Sequence, residues 1–238
     1  MKKIFCKRNP MHKSTYLTFL FFVLASATFG QVAKKKNYFP LWTYHQKNIN
    51  IHGISVGIGS IRGEPRYTNT NGMKLEIIGA GLVVPLMPES PVADDDSSFE
   101  FLSKEPVSEK INGITLSAGG TVCDCITNGI SLGMVGQINY QVNGISGSFF
   151  GVFSQVSNGI HAAGMFNQTY YLNGVQVALM NAAGKSKGIQ LGGGNIAHQT
   201  SGLQIGIYNK TEKLRGIQIG IWNKNEKRSW PLVNWNFK

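Results

Sequence analysis

Apolar residues fall at every second position through much of the chain: Ile130, Leu132 and Met134; Val175, Val177 and Leu179; Leu203, Ile205 and Ile207; Ile217, Ile219 and Ile221. Successive side chains of an extended backbone point to opposite sides, so a period of two predicts strands with one face in an apolar environment. The positions between are small or polar, as in Ser131 and Gly133, Gln176 and Ala178, Gln204 and Gly206, or Gln218 and Gly220. Turn formers punctuate the runs: Asn-Gly at 112–113, 128–129, 143–144, 158–159 and 173–174, and an Asn closing the strand at 181, 195, 209 and 223. About ten such strands, with no helical periodicity among them, predict an all-β domain.

The strands belong to one recurring unit, clearest as Gly202-Leu-Gln-Ile-Gly-Ile-Tyr-Asn209 and Gly216-Ile-Gln-Ile-Gly-Ile-Trp-Asn223. Its leading glycines are Gly113, Gly129, Gly144, Gly159, Gly174, Gly188, Gly202 and Gly216, with Gly53 and Gly72 as outlying copies. The spacing drifts from 16 to 15 to 14 residues, a change that a turn absorbs and a helix register does not. Fixed self-similarity of this kind sets architecture before any single residue suggests chemistry.

Two arrangements compete. A unit of this length holds a strand of the roughly 9–11 residues that cross a tilted membrane barrel, plus a turn. Yet strands of an up-and-down meander alternate in direction and should repeat over two units, whereas here Gly opens and Asn closes every unit. A parallel solenoid accounts for the single period, but it needs a second inward-facing strand, and linkers 210–215 and 224–228 offer at most one apolar residue each. The expectation is therefore an antiparallel β-meander of about 10–12 strands closed into a barrel, with a β-solenoid or sandwich as the alternative.

Charge sharpens this expectation. Residues 125–184 contain no Asp, Glu, Lys or Arg, where an average soluble domain is about 25% charged. Solvent-facing sheets normally carry charge on their edges, while a cation near the bilayer midplane costs about 2–4 kcal/mol on a lipid-facing strand. Tyr170, Tyr171, Tyr208 and Trp222 fall near strand ends, where interfacial aromatics would sit. The last strand alternates Val233, Trp235 and Phe237 and resembles the terminal strand of bacterial outer-membrane barrels.

Residues 1–30 read as a secretory signal: Lys2, Lys3, Lys7, Arg8 and Lys13 precede an apolar core over 16–24 that is too short to span a bilayer, and small-residue cleavage sites follow. The remainder, 31–238, reads as one domain with a mobile acidic loop at 85–106. Removing the signal leaves the mature chain at +6, without the concentrated basic stripe and module that nucleic-acid binding wants. Cys123 and Cys125 then remain, and two thiols alone complete no zinc site.

Candidate chemistry is sparse. Gly53-Ile-Ser-Val-Gly57 and Gly129-Ile-Ser-Leu-Gly133 match the nucleophile pattern of hydrolases, but that pattern needs a strand-to-helix elbow followed by an acid and a His. Ser55 and Ser131 instead occupy a position that other units give to Gln. Gly192-Gly-Gly194 has no helix on which to present a phosphate site. The run Asp94-Asp-Asp96 offers oxygen ligands to a divalent cation but lacks the glycine pivot of a calcium loop. His45, His52, His161 and His198 are scattered. No catalytic residue, cofactor site or metal site is assigned. One polar ladder, Gln176, Gln190, Gln204 and Gln218, is the candidate ligand-facing surface for a sugar or peptide.

The tandem Gly-x-Gln-Ile-Gly-x-x-Asn units, with the framing segments Pro40-Leu-Trp-Thr-Tyr-His45 and Pro231-Leu-Val-Asn-Trp-Asn-Phe237, resemble the short surface repeat of uncharacterised exported proteins of Bacteroidota and spirochaetes. That resemblance implies an envelope or surface location and brings no catalytic residues. The functional expectation is a non-enzymatic, exported cell-envelope protein in contact with outer-membrane lipid, with a structural or pore role. The alternative is a secreted or surface-attached repeat protein that binds a glycan or protein partner.

Overall fold

The computed structural model describes residues 35–237, so the signal expected at 1–30 lies outside the described residues. The described residues from 36 onward form one compact unit. Its strands are β1 (Lys36–Tyr38), β2 (Leu41–Thr43), β3 (Ile49–Gly57), β4 (Thr68–Glu76), β5 (Glu109–Ser117), β6 (Cys125–Gly133), β7 (Gly136–Ser148), β8 (Gly151–Ala163), β9 (Phe166–Lys224) and β10 (Ser229–Asn236). A 3-10 turn at Ala80–Leu86 and a short helix α1 (Asp96–Ser103) complete it. The domain is all-β, as the period of two predicts.

Strand direction departs from the expected antiparallel meander. β3 to β9 pair in sequence order and in parallel; only β10 runs antiparallel, along the end of β9. The path of paired strands is open, from β1 to β10, so the expected closure into a barrel is not found among the described residues. Gly136 of β7 pairs with Gly151 of β8, and Ser148 with Ala163. An extended chain of that length covers about 50 Å, while paired strands lie about 4.8 Å apart. The backbone must therefore turn a full circle in each unit, and the units stack as coils. β9 is several such coils run together without a break, which is why it spans 59 residues.

The register is set by glycine. Gly53, Gly72, Gly113, Gly129, Gly144, Gly159 and Gly174 are paired in one column, and every one has positive φ, as do Gly188, Gly202 and Gly216. A Cβ on any of the last three would fall on the carbonyl oxygen of the glycine one coil below. Both the left-handed backbone and the close approach exclude other residues at this corner. Beside it runs an outer ladder in which each Asn amide donates to the one before: Asn112 to Asn71, Asn128 to Asn112, Asn143 to Asn128, Asn158 to Asn143 and Asn173 to Asn158. The Asn-Gly pairs, read as hairpin turns, are corners of a coil.

The acidic loop carries α1 and leans on the coils. Asp95 caps α1 by accepting from the Ser98 amide, and Phe99 stacks on Tyr170 with ring centroids 4.9 Å apart. Gln155 accepts from the Ala93 amide and donates to the Pro91 carbonyl, while Asp96 accepts from Tyr170 and Lys185.

Candidate functional site

In each coil the residue after the column glycine points out and the next points in. The inward position, read by register, holds Ser55, Lys74, Thr115, Ser131, Ser146, His161 and Gln176 in successive coils, and then Gln190, Gln204 and Gln218. All are buried. Gln190 donates to Gln176, Gln204 to Gln190 and Gln218 to Gln204, at 2.8–3.0 Å, and Asn234 of β10 closes the series on Gln218. A second inner ladder runs Asn181, Asn195, Asn209 and Asn223, each donating to the next. Identical amides spaced by one strand repeat satisfy one another, as in stacked cross-β ladders. The candidate ligand-facing residues Gln176, Gln190, Gln204 and Gln218 thus face the coil interior at 0% exposure, bonded amide to amide rather than open to a sugar or peptide.

A solenoid looked unsupported because its linkers offer at most one apolar residue each, yet one suffices: Leu214 of linker 210–215 is buried, in line with Ile111, Val142 and Leu172 of earlier coils, and amides and hydroxyls line the rest of the interior. Toward the N-terminal coils the same interior holds charge. Glu109 accepts from Arg66, Lys74 and Ser60, and Lys74 also pairs with Glu76 at 3.1 Å. The Lys74 ammonium lies 4.3 Å from the Tyr44 ring centroid. Burial pushes the Glu76 carboxyl up, but the Lys74 charge and hydrogen bonds from Ser60, Thr121 and Ser117 outweigh it and hold the group below the usual carboxylate range. Two cations and two carboxylates balance in a space closed to solvent, which suits a structural plug. This cluster escaped the sequence reading, although Met73-Lys74-Leu75 already placed a lysine at the position other units give to Gln.

The remaining candidates are not brought together. Ser55 accepts from Thr70, and Ser131 donates to Gln137, both inside the coil. Ser146 Oγ lies 2.6 Å from His161 Nδ1; both residues are fully buried, and no carboxylate orients the ring, whose Nε2 has no partner. Burial pushes the His161 imidazole down to about 4. His52 is exposed, and His198 pairs at the surface with Glu212 at 3.2 Å. Cys123 and Cys125 are buried and bonded to each other. Among the described residues no group of three His, Cys, Asp or Glu is placed to hold a metal, and no helix is long and apolar enough to cross a membrane.

What the inward amides leave outside is the notable surface. The first outward column runs Ile145, Ile160, Val175, Ile189, Leu203 and Ile217, and the next includes Leu132, Val177, Leu191, Ile205 and Ile219. Ile160 is 50% exposed, Leu179 52%, Ile207 61% and Ile221 68%. With the ten column glycines marking ten coils, a strip of five residues per coil makes a face of roughly 800 Å² at standard strand spacings. Single apolar side chains on a surface are ordinary, but a contiguous patch beyond a few hundred Å² marks an interaction site. Its far corner adds Phe149, Tyr208 and Trp222. Glycines leave shallow grooves in it, one between Leu75, Leu116, Leu132, Met134 and Phe149, another between Leu191, Ile205, Ile219 and Val233. The alternation was legible; which face turned inward was not.

No family model, no curated protein and no solved structure matches this chain.

Proposed function

We propose that this protein is a non-enzymatic, exported component of the cell envelope, a rigid coil that holds to an apolar surface by its flat outer face. The observation that carries the reading is how the fold divides its side chains: amides and hydroxyls take most of the interior beside a thin apolar column that includes Ile111, Val142, Leu172 and Leu214, and the broad apolar columns stand outside it. Burying that face against another apolar surface recovers hydrophobic free energy that folding alone leaves unused. The uncharged stretch 125–184 supports the same reading, since four successive coils present that face with no Asp, Glu, Lys or Arg around it. A pore role gains no support from an interior occupied by hydrogen-bonded side chains, and a glycan site on the glutamines gains none from their burial.

Fractionation of cells expressing the full chain tests the reading. The expected result is recovery with the envelope membranes in low-salt buffer and release by mild detergent. Recovery in the soluble fraction, without detergent, overturns it.

A further inference from the structure

The proposed envelope role leaves open what the apolar face meets. Its charged surroundings are uneven along the stack. Residues 125–184 carry no charge, whereas from Lys185 to Arg228 there are eight Lys or Arg and only two Glu. Lys185 pairs with Asp96, and Lys227 and Arg228 bond to β10, but four of these cations stand at the two margins of the apolar strip. Lys187 and Arg215 immediately precede the column glycines Gly188 and Gly216, at the corner where the apolar columns begin. Lys210 and Lys224 follow closely on Tyr208 and Trp222, at the corner where they end.

Resting on that envelope reading, we propose that the C-terminal coils dock their apolar face on an anionic lipid surface, lying on it without crossing it. The apolar columns enter the acyl boundary. Long cationic side chains at the margins keep their heads in the phosphate layer while their stems cover apolar surface. Tyr208 and Trp222 occupy the level between the two, where amphipathic aromatic rings are favoured. This is the composition of an interfacial amphipathic helix, apolar on one side with Lys and Arg beside it, built here from stacked strands. A second copy of the chain fits the same face less well, because the cationic margins of the two copies would meet like charge.

The test uses the purified mature chain with vesicles of phosphatidylcholine alone and with phosphatidylglycerol added, read by co-sedimentation and by tryptophan emission. The expected result is binding to the anionic vesicles at least about tenfold tighter than to the neutral ones, weakened by salt, with a blue shift in emission. Lys187→Gln with Arg215→Gln should weaken anionic binding about tenfold while leaving circular dichroism and melting unchanged. Ile207→Asn with Ile221→Asn, both outward and more than half exposed, should abolish the emission shift. Equal binding to both vesicles, or none to either, overturns the proposal. So does formation of a dimer that no longer binds vesicles, which would assign the face to a second copy. A chain that stays with envelope membranes in cells yet ignores vesicles leaves the envelope reading standing and defeats only the lipid assignment.

Discussion

At the scale of single residues, the interior behaves as a set of columns whose members must match their neighbours. His161 stands between Ser146 and Gln176, with one ring nitrogen bonded and the other alone. Burial lowers its imidazole to about 4, against an ordinary value near 6.5. A group depressed in the folded state leaves stability whole above the unfolded value and removes it as pH falls from there toward the folded one. Between pH 7 and pH 5 the protein should lose about 2 kcal/mol through this residue. Chemical denaturation at the two pH values checks it. His161→Gln, which extends the amide ladder, should remove that part of the pH dependence. Glu76 is held below the usual carboxylate range, so its own contribution fades only at lower pH, below this window.

At the scale of the coil, the glycine corner decides the fold. Gly202 has φ of 147°, and a Cβ there would strike the Gly188 carbonyl. Gly202→Ala should cost about 3 kcal/mol, because backbone strain and a steric clash with main chain fall on the same atom. A urea midpoint shifted at unchanged slope would register it. The strands and the unit boundaries were legible, since alternation and the recurring Gly follow directly from extended backbone and a sharp corner. The direction of pairing was not. Asn-Gly serves hairpins and coil corners alike, and only pairing in space tells Gly129 beside Gly144 from Gly129 inside a two-residue loop. The glutamine ladder was legible as a ladder, but alternation alone assigns no inside. Gln190 and Ile189 exchange faces if the coil closes on its amides, and it does, because each buried amide finds a partner one coil away.

At the scale of the molecule, the stack is long, regular and in danger of growing. An open coil end presents a row of unpaired backbone groups, a template for another chain. At the C-terminal end β10 reverses direction and covers Gly216–Lys224, with Pro231 at the break in its register. Asn225 holds the preceding turn by accepting from the amides of Lys227 and Arg228. At the other end β1 and β2 are three residues each and flank β3. Truncation before residue 229 should bare the last coil and produce concentration-dependent association end to end. Light scattering of chains beginning at residue 31, with and without residues 229–238, at matched concentration would show it; a truncated chain that stays monomeric would mean the coil end is protected by something other than β10.

Because every coil passes the same glycine corner and sets its outward side chains at the same positions, the molecule can be lengthened or shortened by whole units without redesigning any of them. Its adhesive area therefore comes in steps, one short apolar stripe for each added turn of chain. Grip on a surface becomes a matter of counting rather than of shape.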